Sequence, residues 1–329
     1  MRGNSFGKMF SLTSFGESHG AVVGVVLDGV PSHLEFNLQD LQKELDRRAP
    51  GKIEGTTARL EADQAEVLSG IFNGLTLGSP IAIIVKNTNQ KSSDYELIEG
   101  EYRPGHADRT TELKFGIRDH RGGGRSSGRE TVARVIAGYF AGLILPSVHV
   151  KAFTCKLGSF EYPGIPEDLN ASFAPYSFPD TTKNNEIKKY LEDLKSCGQS
   201  VGGRVRIIVD HCPAGLGEPA FDKLKSDLGK ALLSIGAVVS FSYGLGEEMA
   251  DKLGSDVSAL ALAFGGIEGG ISNGERMLMT IVFKPTSTLG EKARAGRHDP
   301  CIIPRAIPVV ESMVKIVLAD HYLRQKAYL

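Results

Sequence analysis

Phe10 and Leu12 alternate with polar residues near the start of the chain, the period-two pattern of a half-buried strand. FGESHG (15–20) then forms a tight polar turn, and AVVGVVLDG (21–29) reads as a second strand. The pair predicts a hairpin whose tip carries Glu17, Ser18 and His19. Asn37 stands where a helix cap is expected, ahead of Leu38, Leu41 and Leu45 on one face, and Pro50 with Gly51 ends that helix. Residues 56–86 read as further strands, with IAIIV (81–85) as a buried one. From 87 to 127 periodicity is weak and the composition polar; such a long loop in a compact domain is usually functional or disordered.

Helical patterning resumes at Ser127, which with Glu130 has the spacing of a capping box. Val132, Val135, Ile136, Tyr139, Phe140 and Leu143 make the apolar face that follows. Residues 155–200 are irregular and rich in proline, apart from a short polar helix over 184–196. RVRIIVD (204–210) predicts a strand, and 221–235 an amphipathic helix facing the core with Phe221, Leu224, Leu228 and Leu232. GGIEGGISNG (265–274) leads into a strand over 277–283, and a last helix is expected over 308–323. Hairpins and helices mix without β-α-β alternation, so the fold class is α+β rather than a doubly wound sheet. Neither a dinucleotide-binding glycine pattern nor a phosphate-binding G-x-x-x-x-G-K-[ST] loop occurs.

Composition narrows the function classes. The 329 residues carry a net charge of −1, so any polyanion binding must rest on a local patch. The four cysteines are scattered and form no CxxC pair, which argues against a zinc knuckle or a redox dithiol. With an N-terminus that lacks the apolar run of a signal peptide, they point to reduced thiols and a cytoplasmic location. The longest nearly unbroken apolar run, 135–145, is about half of a membrane span.

One window departs from this even balance. Between residues 103 and 134, seven arginines and Lys114 face four carboxylates, a local excess of four positive charges. At its centre lies RGGGRSSGRET (121–131). Three consecutive glycines leave room for a ligand against the main chain, and the helix start after Ser127 offers orphan N–H donors. Guanidinium forks match phosphate and carboxylate. The chemistry implied is a small-anion site, for a phosphate above all. A merely solvated loop is the plain alternative, though it does not require the glycines; a nucleic-acid face is another, but basic and aromatic residues are not interleaved. His19 in FGESHG and His106 in RPGHAD each sit in a glycine-flanked polar loop, as does the Arg297-His298-Asp299 run, and histidine is the side chain best suited to proton transfer near neutral pH. No HxH or HExxH spacing supports a metal.

FGESHG, DRRAPG, RPGHAD, RDHRGGGRSSGRET, GGIEGGISNG, FKPTST and GRHDPC occur in the order found in chorismate synthases, and the resemblance covers nearly the whole chain. It implies a single α+β unit over 1–329 with helices sandwiched between antiparallel sheets, mobile loops near 87–127, 246–265 and 288–296, and a homotetramer. It implies elimination of phosphate from 5-enolpyruvylshikimate 3-phosphate to give chorismate, with reduced FMN as a transient electron donor and no net redox change. Carried over by motif, His19 would protonate the departing phosphate, His106 would stabilise the reduced flavin, and Asp299 would help remove the C6 hydrogen. Ser18, Arg48 and Arg125 would hold substrate anions. Arg125, Ser126, Ser127, Gly236, Ala237, Gly269, Lys284, Pro285, Thr286, Ser287, Thr288 and Arg297 would contact FMN. No NAD(P)H-binding module is evident, so FMN reduced by an external flavin reductase or a chemical reductant is expected; NADP is associated with the resemblance as well. A flavin-binding regulator without activity is a rival reading. The chain departs from the family at Lys52-Ile53-Glu54, where a second arginine is usual, at Gly128 in place of alanine, at Gln199 in place of aspartate, and in shorter stretches over 246–265 and 288–296.

Overall fold

The structure, a computed structural model, describes residues 3–49, 51, 63–87, 102–120, 122–295 and 299–328. β1 (Ser5–Phe6), β2 (Ser11–Phe15) and β3 (Val22–Asp28) open the chain. Helix α1 (Leu38–Arg48) follows, then β4 (Ala65–Val67), the small hairpin β5 (Ile71–Phe72) and β6 (Leu75–Thr76), and β7 (Ile81–Lys86). The first sheet runs β1-β2-β3-β7-β4, antiparallel throughout. Its register sets Val23 beside Val85, Val25 beside Ile83 and Leu27 beside Ile81. All six are essentially buried, which defines the inner face.

Helix α2 (Asp108–Phe115) lies within the polar window, and helix α3 (Thr131–Ile144) follows it. Then come β8 (His149–Leu157), β9 (Phe160–Glu161), helix α4 (Asn184–Ser196), β10 (Gly203–Asp210), helix α5 (Leu224–Leu233) and β11 (Val238–Tyr243). The chain closes with helix α6 (Gly254–Ser258), the hairpin β12 (Ile267–Glu268) and β13 (Ile271–Ser272), β14 (Met277–Phe283), helix α7 (Glu291–Ala295) and helix α8 (Ile303–Lys326). The second sheet runs β11-β14-β10-β8-β9, again antiparallel.

Helices α3 and α8 fill the space between the sheets. α3 packs under β2 and β3, α8 packs on β8 and β10, and the two helices pack on each other. Both are apolar around most of their circumference, as a helix with neighbours on every side must be. Their contact is close: a Cβ at Gly138 would lie 2.3 Å from the Cβ of Ser312. One continuous apolar core joins Phe10, Val25, Ile83, Ile136, Phe140, Ile207, Met279, Val310 and Leu318. Asp320 of α8 reaches back to the start of the chain, where its Oδ1 accepts the N–H groups of Lys8 (3.0 Å), Met9 (2.6 Å) and Phe10 (3.0 Å).

The α+β class stands, with several local corrections. α8 begins at Ile303 rather than Pro308; Pro308 is in the sixth position, where its ring meets only the first turn, and Ser312 Oγ donates to its carbonyl at 2.7 Å. Leu38 and Phe221 are exposed, at 42% and 96%, while Leu41, Leu45, Leu224, Leu228 and Leu232 carry the core faces. Ser127 caps a short 3-10 turn (Gly128–Glu130), its Oγ accepting from Arg129 N at 3.3 Å, and Glu130 turns to Ser14 and Arg134. β11 carries no expectation from the sequence, and the end of β8 with all of β9 falls in the stretch from 155 on that reads as irregular; all three complete the second sheet.

Candidate functional site

The β2–β3 hairpin holds its tip as expected. Ser18 and His19 are 2% and 6% exposed, and Ser18 Oγ lies 3.0 Å from His19 Nδ1. Gly122 packs directly on them: a Cβ there would stand 2.3 Å from His19 Nδ1 and 2.7 Å from Ser18 Oγ. This first requirement of the glycine triplet is steric. The second is conformational, since Gly124 has φ +51° and opens onto free space. Arg125 then turns its guanidinium onto the end of β2, donating to Gly16 O (3.0 Å), Ser14 O (3.1 Å) and Ser14 Oγ (2.5 Å). The histidine turn and the arginine loop thus form one unit.

Behind that unit lies a buried charge cluster. Asp63 bridges the guanidiniums of Arg48, at the end of α1, and Arg129, before α3; the three side chains are at most 3% exposed. Burial raises the Asp63 carboxyl, but the two guanidiniums override it and hold it below the usual carboxylate range. Arg48 is placed differently from its expected role: it faces Asp63 and Gly128 O (3.3 Å). Arg129 also donates to Asn87 Oδ1 at 2.8 Å and Lys86 O at 3.2 Å. The α1 neighbour, Arg47, points elsewhere, to Glu311 of α8 at 2.6 Å.

RPGHAD and KPTST meet in a second cluster. Lys284 Nζ donates to Gly105 O (2.8 Å) and to Ser287 Oγ (2.9 Å), and Ser287 Oγ also donates to Gly105 O (3.1 Å). His106 Nδ1 lies 2.7 Å from Asp108 Oδ1, and Arg103 grips the same carboxylate with Nε and Nη2, each at 2.8 Å. Burial raises the Asp108 carboxyl, yet the bonds from Arg103 bring it down to about 2. Burial, aided by Arg103, lowers the His106 pKa, so the imidazole is neutral near pH 7. Ala237 O accepts from Lys284 N at 2.9 Å, which brings Gly236 and Ala237 to the same place, and Arg134 Nη1 bonds Ser234 Oγ at 2.7 Å to tie that segment to α3. Thr286 Oγ1 donates to Asp299 O (3.1 Å); the Asp299 carboxylate pairs with Arg305, whose Nε reaches Arg48 O at 3.5 Å. The two clusters therefore flank the beginning of α3.

Ser126 and Ser127 lie on the arginine loop, and Pro285 and Thr288 on the Lys284 segment. Gly269 is apart. Its hairpin docks on the start of α5, where Gly270 O accepts from Leu224 N at 2.7 Å, whereas Gly236 and Ala237 follow the other end of that helix, about 15 Å away. Arg297 lies outside the described residues. Sequence reasoning missed Asp63 and Asn87, whose isolated polar letters carry no pattern; Arg103, Asp108 and Arg129 entered only as counted charges. Among the described residues no group of three or more His, Cys, Asp or Glu side chains is placed to hold a metal, and no helix is long and apolar enough to cross a membrane.

The family model described as chorismate synthase matches residues 10–323. A chorismate synthase of Christiangramia forsetii is 47% identical over an alignment covering 99% of each chain, and one of Flavobacterium psychrophilum is 44% identical over 100% of this chain and 99% of the other. These alignments, of 351 and 352 positions, are longer than the chain, so the relatives carry residues that it lacks. A solved structure titled as chorismate synthase superposes with a TM-score of 0.76 at 28% identity, covering 97% of this chain and 93% of that one.

Proposed function

Because the chain belongs to the chorismate synthase family, lyases of the shikimate pathway, we propose that its site eliminates phosphate from 5-enolpyruvylshikimate 3-phosphate in a 1,4-anti sense, with reduced FMN as cofactor. The observation that carries the reading is the junction of the histidine turn with the glycine–arginine loop, where Gly122 seats against His19 and Ser18. His19 is the acid for the departing phosphate; Ser18 holds its Nδ1, so Nε2 is the nitrogen that gives the proton. Ser18 and Arg125 face the substrate anions, and Arg48 supports them from behind through Asp63.

The second cluster suits an anionic, flat cofactor. Lys284, Ser287 and Thr288 supply cationic and hydroxyl donors, Ser126 and Ser127 add hydroxyls from the arginine loop, and a Cβ at Gly236 would meet nothing within 4 Å, which leaves the backbone open to close approach. Gly269 and Arg297 complete the set, Gly269 from a neighbouring subunit of a homotetramer. Reduced FMN, when bound, supplies an electron to the substrate transiently and recovers it, with no net redox change. Asp108 holds the Nδ1 proton of His106; a nearby anion favours protonation of Nε2 and so a second N–H toward that anion. Asp299, steadied by Arg305, would take the C6 hydrogen as a proton. The enzyme works in the cytoplasm with flavin reduced by a separate reductase.

Anaerobic release of phosphate from 5-enolpyruvylshikimate 3-phosphate is expected with dithionite-reduced FMN and not with oxidised FMN. Equal release with the oxidised form would refute the mechanism.

A further inference from the structure

Asn87 follows β7 directly, opposite the histidine turn. Lys86 pairs with Val22, and one step further Asn87 N donates to Ala21 O at 3.1 Å. Its side chain then spans two systems. Nδ2 donates to Glu17 O at 3.0 Å and to Gly20 O at 2.8 Å, the carbonyls at the two ends of the turn that carries Ser18 and His19. That turn is closed by Gly20 N donating to Glu17 O at 3.1 Å. On the other side, Oδ1 accepts from Arg129 Nε at 2.8 Å.

The orientation of the carboxamide is forced. A flipped amide would set its oxygen against two carbonyl oxygens and its NH2 against a guanidinium donor. In the arrangement seen, both amide protons and the oxygen are used. Arg129 is in turn fixed by Asp63 and by Lys86 O. A continuous chain of bonds therefore runs from the buried Asp63 through Arg129 and Asn87 to the backbone on either side of His19.

We propose that Asn87 is a positioning residue for His19, setting the height of the Glu17–Gly20 turn so that the imidazole meets the leaving phosphate. Its carboxamide is used within the protein, in the bonds to the turn and to Arg129. The inference rests on the proposed role of His19, and the test separates the two. Asn87→Asp is the decisive variant: a carboxylate pairs with Arg129 even better than the amide, but it turns an acceptor toward two carbonyls. A residue needed only as the partner of Arg129 would tolerate the change.

The full chain is assayed for kcat and KM with 5-enolpyruvylshikimate 3-phosphate and dithionite-reduced FMN, and thermal unfolding confirms that each variant folds. Asn87→Asp is expected to lower kcat by about tenfold to a hundredfold, the scale of a mispositioned catalytic group. KM should change by less than about threefold, since ground-state binding is not touched. In a His19→Ala background the same substitution should cause no further loss, because the turn then has no acid to place. Wild-type kcat in Asn87→Asp, or losses that multiply in the double variant, would overturn the proposal. If the wild-type chain shows no turnover, the functional reading fails instead, and hydrogen exchange over residues 15–24 decides alone. Faster exchange at the turn in Asn87→Asp supports the positioning role; unchanged exchange refutes it.

Discussion

Replacing Asp63 by asparagine tests the charge logic beneath the site. The substitution is isosteric, and asparagine accepts the left-handed backbone that Asp63 adopts at φ 41°. It removes the one carboxylate that the guanidiniums of Arg48 and Arg129, each 3% exposed, share. Stripping one partner from a buried ion pair costs about 3–5 kcal/mol. Unfolding entropy of about 2.1 cal/mol/K per residue amounts to about 0.7 kcal/mol/K for this chain, so the loss should lower Tm by about 4–7 °C. Arg48→Met gives the comparison. It leaves Asp63 with Arg129, a balanced pair, and should cost only about 1–2 kcal/mol, or about 1–3 °C. Differential scanning calorimetry of both variants at pH 7 and one salt concentration gives the order. The reasoning fails if Asp63→Asn is no worse than Arg48→Met, for then the carboxylate does not neutralise both cations.

Three further outcomes follow from the structure. Gly122→Ala would drive a methyl to within 2.3 Å of His19 Nδ1; steady-state kinetics should show kcat reduced about a hundredfold, while Gly128→Ala, whose Cβ meets nothing within 4 Å, should raise stability by about 0.4–1 kcal/mol in urea unfolding. Because burial and Arg103 depress the His106 pKa, the unfolded chain binds the proton more readily, so the His106 contribution is fully present above about pH 6.5. Stability should fall as pH drops from there toward the folded pKa and then level off. Urea unfolding across pH 5–8 should show that slope reduced in His106→Asn.

Sequence reading succeeded where a local pattern suffices. The β2–β3 hairpin, the Asn37 cap with its bonds to Gln39 N and Asp40 N, and the buried strands β7 and β14 all follow from alternation or capping chemistry within a few residues. It failed where the deciding partner is remote. Phe221 fits the helical period of α5, but that helix starts at Leu224, so Phe221 meets solvent. Glu130 matches a capping box, but Ser14, on another strand, takes its carboxylate. The site divides the same way. Glycines and arginines in RGGGRSS announced the anion chemistry and His19 in FGESHG the proton chemistry, whereas Asp63 and Asn87 act through Arg129, 66 and 42 positions away. No short window records such a bond.

The grip of Asp320 on residues 8–10 spans 312 positions at its widest, nearly the length of the molecule. Synthesis proceeds from the other end. The opening strands therefore leave the ribosome long before the carboxylate that pins them exists, and they must wait unanchored beside a half-made core. Such distant closures also slow folding. Competence to bind anything at the histidine turn thus arrives late and all at once, when the terminal helix finally docks.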